Sequence, residues 1–252
     1  MKNTYQKIAA LMLIGMSAGS ATAATSYYSE GHLSLQVLGV SDANGNYYNF
    51  GSMPGDISLS YSDNSDDMGF DTTITGNASA YSGSTPSSNS GKIDLYTNIS
   101  GDAYTPYALA TSDSTASGSI EFENNSSTVD YTVDLLLSYI FQNEVETDHP
   151  APANNQLAKT SIDMNVSGDF SLGQVLDLTE ETELGYANYN ASAKSKEIQL
   201  SFLLAAGEVE NVFASLVSHG ESESISAVPV PAAIFFFGPA LLTLMVRRKK
   251  SV

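Results

Sequence analysis

The chain is 252 residues long, has no cysteine or tryptophan, and carries 28 acidic against 10 basic residues, for a formal net charge of −18. Every acid lies between Ala24 and Ala227, where only Lys92, Lys159, Lys194 and Lys196 oppose them, so 28 acids less four lysines leave that segment at −24. This excludes nucleic acid as a partner, since phosphate binding needs clustered basic residues, and it excludes disulfides and cysteine nucleophiles altogether.

Residues 1–23 place Lys2 and Lys7 ahead of an apolar run at 8–16, followed by small residues, with Ala21 and Ala23 at the positions of an AxA site. That order predicts a secretory signal peptide, cut by signal peptidase after Ala23. The apolar run is too short to cross a bilayer.

From residue 24 to 227, Gly, Ser, Thr, Asn and Asp recur every few residues, with apolar and polar positions alternating between them. Period-two alternation is the pattern of half-buried antiparallel strands, and it predicts strands at 33–40, 57–61, 70–75, 93–100, 120–122, 129–142, 162–166, 170–172, 198–204 and 209–217. Between the first strand and Tyr47, the stretch SDANGN supplies Asn44 and Gly45 for a tight hairpin turn, and AAGE with Gly207 has hairpin length between the last two strands. The run 129–142 is the clearest, with Val129, Tyr131, Val133, Leu135, Leu137, Tyr139 and Phe141 all on one face. It exceeds the usual strand length, so a bend, a bulge or participation in two sheets is expected there. Two stretches, 82–91 and 148–155, read as exposed loops. No fixed-period repeat is present, and the whole segment reads as one all-β domain, an antiparallel β-sandwich of jelly-roll-like form.

Three side-chain patterns are candidates for chemistry. The histidines His32, His149 and His219 have no GxSxG serine elbow to serve, and they read as surface residues. With 28 acids, carboxylate pairs of the glycosidase kind arise by chance, so the segment reads as non-enzymatic, with a secreted polysaccharide-acting enzyme as the alternative. Tyr27, Tyr28, Tyr47, Tyr48, Tyr104, Tyr107, Tyr186 and Tyr189 lie in or near predicted loops, where phenol rings could stack on sugars. Asp63, Ser65 and Asp67 alternate as calcium ligands do, but Met68 stands where an EF-hand has glycine and Ile74 where it has the closing glutamate. A polar turn is the reading, with calcium as the sole cofactor candidate.

The C-terminal stretch, residues 228–252, has three parts in order. Val228, Pro229, Val230, Pro231 and Ala232 form a short Pro-x-Pro motif, an apolar run follows to Val246, and Arg247, Arg248, Lys249 and Lys250 close it. The uncharged run spans a bilayer only marginally, the basic cluster stops it on the cytoplasmic side, and the prolines hold the peptide before it extended. Extended peptide at a membrane surface is what a protease or transpeptidase cleft accepts.

This arrangement resembles the PEP-CTERM class of protein-sorting domains, in its VPLPA-like variant. The resemblance covers under a tenth of the chain. It implies that an exosortase, an integral-membrane cysteine transpeptidase, recognises Val228, Pro229, Val230, Pro231 and Ala232, with Arg247 to Lys250 as stop signal. It further implies delivery to the cell surface or extracellular polymeric matrix of a Gram-negative bacterium, in a structural, adhesive or exopolysaccharide-associated role within a biofilm. Val230 replaces the glutamate of the main class, as in the variant, and Pro239 would kink the apolar helix. An uncleaved single-pass membrane anchor is the competing expectation.

Overall fold

The computed structural model describes residues 24–63, 70–76, 78–89, 91–104, 108–147, 156–184 and 189–224. They form twelve strands: β1 (Thr25–Asp42), β2 (Tyr47–Asn49), β3 (Ile57–Asp63), β4 (Phe70–Thr75), β5 (Ala78–Asn89), β6 (Lys92–Ala103), β7 (Ala108–Asn124), β8 (Tyr131–Thr147), β9 (Gln156–Gly168), β10 (Gln174–Glu183), β11 (Tyr189–Leu204) and β12 (Val209–Ser224). The one helical piece among the described residues is a single 3-10 turn, Phe50–Ser52. No helix among them is long and apolar enough to cross a membrane. The expected span and its motif, residues 228–252, lie outside the described residues, as does the expected signal peptide with Ala21 and Ala23.

All pairings are antiparallel. One sheet runs β11-β8-β1-β6-β5 with β2 added beside β1; the other runs β10-β9-β12-β7-β3 with β4 also on β7. β3 and β4 share the same edge of β7, taking residues 118–124 and 109–114 in turn. The sheets lie face to face, and the side chains between them differ along the strands.

At one end, Leu33, Leu35, Ile93, Leu95, Leu135 and Leu137 of the first sheet meet Ile120, Phe122, Ile162, Met164, Val212 and Leu216 of the second, all buried. Each such side chain contributes roughly 1.5–3 kcal/mol by leaving water. Phe122 and Phe202 meet edge to face, with ring centroids 5.4 Å apart at 78°, the geometry aromatic quadrupoles favour.

At the other end, the inward positions of the same strands include Thr25, Ser29, Thr97, Ser112, Ser114, Asn143, Thr160, Ser218 and Ser222, interleaved with a smaller apolar cluster of Tyr27, Ile99, Ala110, Val145, Ala158 and Leu184. These hydroxyls pair across the interior: Thr97 Oγ1 with Ser218 Oγ at 2.7 Å, and Ser29 Oγ donating to Asn143 Oδ1 at 2.7 Å. Both ends of the described unit, Thr25 and Ser224, lie at this hydroxyl-lined end, since Thr25 pairs with Ala103 and Ser224 with Ala108, across the short β6–β7 connection.

Three expectations are corrected. Residues 82–91 are largely strand: β5 pairs with β6 along its length, with Pro86 opposite Leu95. Proline is tolerated there because β5 is an edge strand. Residues 170–172 are a bend outside any strand, and Phe170 is 73 % exposed. The bend is fixed by the buried carboxylate of Glu210, which accepts the backbone amides of Phe170 at 3.0 Å and Ser171 at 3.0 Å. Finally, the Ala205–Glu208 turn joins no hairpin, because β11 and β12 belong to different sheets.

That turn arches between the layers around buried Asn124, whose Nδ2 donates to the carbonyls of Val129 at 2.8 Å, Leu204 at 3.1 Å and Ala205 at 3.0 Å. The hairpin at 41–46 forms as the sequence predicts, with Gly45 at φ +81° and Asp42 Oδ1 accepting the amides of Asn44 and Asn46, each at 2.9 Å. The side-chain amide of Asn46, which donates to Asp42 Oδ2 at 2.7 Å, and then its backbone amide hold the Asp42 carboxyl below the usual carboxylate range. The irregularity expected in 129–142 falls on its partner, where the register of β1 against β8 slips between Val37 and Gly39.

Candidate functional site

Neighbouring residues of a strand face opposite sides of its sheet, and the segment YYSEGH of β1 shows the consequence. Tyr27 turns inward with Ser29 and Gly31, and Tyr28 turns outward with Glu30 and His32. Tyr27 is therefore no sugar platform. Its ring fills space left by Gly101 and Gly220, where an added Cβ would come within 2.4 Å and 2.2 Å of it. Its hydroxyl is hydrogen-bonded to Ser112 Oγ at 2.6 Å, and burial pushes its ionisation up to about 12.

Tyr28 belongs to a polar cluster on the outer face of the first sheet. Its hydroxyl donates to Glu30 Oε2, and Tyr96 donates to the other oxygen of the same carboxylate at 3.1 Å. Asn98 Nδ2 donates to both phenols, at 3.1 Å to Tyr96 and 3.4 Å to Tyr28. Removal from water, and then the bond to Glu30, push Tyr28 up to about 12, so both phenols remain neutral donors at physiological pH. Next to this cluster a shallow groove of about 220 Å³ runs between Tyr28 and Tyr189, with Ser100, Asp102, Glu144 and Glu146 on its floor and walls. Partial burial, and then the neighbouring Glu144, raise the ionisation of Tyr189.

The other candidates disperse. Tyr47 and Tyr48 lie on β2 at the apolar end, Tyr47 covering Gly39, and Tyr104 sits just past β6. Tyr107, Tyr186 and His149 lie outside the described residues. His32 stands near Asp94 on the outer face of the first sheet, 3.5 Å away. His219 pairs with Asp113 at 2.6 Å on the outer face of the second. The two imidazoles are on opposite sides of the molecule, and no single centre uses both.

Asp63 is the last residue of β3, while Ser65 and Asp67 lie outside the described residues. Among the described residues no three His, Asp or Glu side chains converge as a metal site would require. The residues that sequence reasoning passed over are Glu30, Tyr81, Tyr96, Asn98, Glu144 and Glu146. Tyr96 and Asn98 lie in the strand announced at 93–100, whereas Glu30, Tyr81, Glu144 and Glu146 lie in strand residues the sequence pattern does not reach, and the signal in each case was outward parity.

Comparison with known proteins gives no family model that matches the chain, no similar curated protein and no matching solved structure.

Proposed function

We propose that this chain is an exported, non-enzymatic protein of the surface or extracellular matrix of a Gram-negative bacterium, with a structural, adhesive or glycan-associated role. Signal peptidase acts after Ala23, and an exosortase-type transpeptidase acts at Val228, Pro229, Val230, Pro231 and Ala232. The apolar run and Arg247, Arg248, Lys249 and Lys250 hold the substrate in the membrane until then.

The observation that carries this reading is the ordered tail itself: Pro-x-Pro, a span of marginal length, and four cations in succession. The fold is compatible with its removal. β12 makes its last pairings at Ser224, four residues before Val228, and the apolar core lies at the other end of the strands.

In our reading the folded part is a jelly-roll-like β-sandwich. The support is a nested set of antiparallel pairs, β7 with β12, β8 with β11 and β9 with β10, as a folded-over ribbon gives. β1 stands between β6 and β8, where a strand following β12 would complete an eight-stranded roll, so the roll is circularly permuted. β2, β3, β4 and β5 are then additions at its edges.

Replacing Pro229 and Pro231 together by alanine tests the sorting role. The expected result is a protein retained in the membrane fraction, whereas the parent chain reaches the surface or matrix. Unchanged distribution of the double variant would contradict it.

A further inference from the structure

The bond that signal peptidase is expected to cut, between Ala23 and Ala24, stands one residue ahead of β1, which begins at Thr25. β1 is not an edge strand. It lies between β6 and β8, so Thr25 pairs with Ala103 on one side and with Thr147 on the other, and its side chain is fully buried. The next inward residues tie the strand to its surroundings. Tyr27 fills the space beside Gly101 and Gly220 and is hydrogen-bonded to Ser112 of the opposite sheet, and Ser29 donates to Asn143.

A protease takes its substrate as extended chain on both sides of the bond it cuts. On the downstream side, only Ala24 lies outside the sheet. Freeing residues 25–30 breaks backbone pairing with two neighbours at once and pulls Tyr27 from its slot. Such an opening belongs to the cooperative unfolding of the sheet, unlike the fraying of a chain end. The membrane adds to the restriction, because the apolar run at 8–16 holds the bond at the bilayer surface while the sandwich begins within about 7 Å of it, at roughly 3.3 Å per residue.

The C-terminal side is built differently. β12 is also flanked on both sides, but its last pairs are at Ser224, and Ile225, Ser226 and Ala227 separate it from Val228. Four residue steps give about 13 Å of extended chain, so the sorting motif is reached without opening the pairs of β12. The timing at the N-terminal side is favourable as well. Residues 25–36 pair with 92–103 and 131–147, which follow them through export, so this part of β1 waits unpaired while the bond is exposed.

From the central place of β1 and its one-residue distance from the bond, we infer that signal peptidase acts only before β1 enters the sheet. Removal of the signal peptide is then an obligatory step ahead of folding, and the folded precursor is not a substrate. In that step water adds across the Ala23–Ala24 amide and the C–N bond breaks, leaving a carboxylate on Ala23 and an ammonium on Ala24. The inference rests on the export reading above and adds the order of its steps.

The test uses the full chain with its signal peptide, unfolded in urea and diluted into detergent, beside a variant with about six glycine and serine residues inserted between Ala24 and Thr25, roughly 20 Å of chain. Purified signal peptidase is added either at dilution or after the β1 amides have become protected from hydrogen exchange, and the cut is read by mass. Both chains are expected to be cut after Ala23 when the peptidase is present from the start. Once folded, the parent is expected to be cut more than about tenfold more slowly than the insertion variant, since cleavage then follows the population of the opened strand. A parent precursor whose β1 gains protection only after the cut would show the same order. Equal rates for the two folded chains, with β1 protected in both, would overturn the inference and leave the export reading standing. Absence of any cut after Ala23 in the unfolded chain would overturn the export reading, and the inference with it.

Discussion

The two ends of this fold are built by the same strands with different chemistry. Along β1 the inward residues are Thr25, Tyr27, Ser29 and Gly31 at one end and Leu33, Leu35 and Val37 at the other. The apolar end is held by area removed from water, which tolerates small displacements. The hydroxyl end buries a smaller apolar cluster, Tyr27, Ile99, Ala110, Val145, Ala158 and Leu184, and adds individual hydrogen bonds and the fit of the Tyr27 ring between two glycines. Thr25 Oγ1 and Ser222 Oγ at that end find no hydrogen-bond partner among the described residues. The difference teaches that a sheet pair can stay closed over an interior where buried hydroxyls alternate with a small apolar cluster when a larger apolar block clamps the far end.

Substitutions at the two ends separate these modes. Leu135→Ala, in the apolar block, is expected to cost the most, about 3–4 kcal/mol in denaturant unfolding, from lost transfer energy and the residual cavity. A cost below about 1 kcal/mol would show that this block is not the clamp. Gly220→Ala is expected to cost about 2 kcal/mol, because its Cβ would meet Tyr27 and also come 3.0 Å from Ile99 Cδ1, while Gly101 blocks the ring's retreat. Near-neutral stability of that variant would mean the hydroxyl end can open to admit a methyl group.

Tyr27→Phe keeps the ring and removes the bond to Ser112, for an expected loss of about 1 kcal/mol at neutral pH. Its pH dependence sharpens the comparison. The folded-state ionisation of Tyr27 is raised from 10.0 to about 12, so its contribution is intact below pH 10 and is lost as pH rises toward 12. The stability curves of the parent and Tyr27→Phe are therefore expected to converge as pH rises above 10 and to cross before pH 12. Parallel curves would show that Tyr27 does not hold its proton more tightly in the folded state.

The same contrast explains what the sequence could reveal. β8 was legible from Tyr131 to Phe141 because its inward residues are Val, Leu and aromatic, but its extension through Asn143 and Thr147 was not. β7 announced itself only at residues 120–122, since Ala108, Ala110, Ser112, Ser114 and Ala116 face inward ahead of them. Residues 170–172 imitate a strand by composition, and only the distant Glu210 makes them a bend. Tyr28 was visible as a candidate, but its separation from Tyr27 depended on strand parity, and Glu30, Tyr96 and Asn98 came together only through the β1–β6 register. Tyr189 likewise reached the groove through the β11–β8 register.

The most direct test of the export account is the intact mass of the chain recovered from the cell surface or matrix. The account predicts a species that begins at Ala24 and ends near the Val228–Ala232 motif, without the apolar run and without Arg247, Arg248, Lys249 and Lys250. A species whose mass includes every residue through Val252 would contradict it.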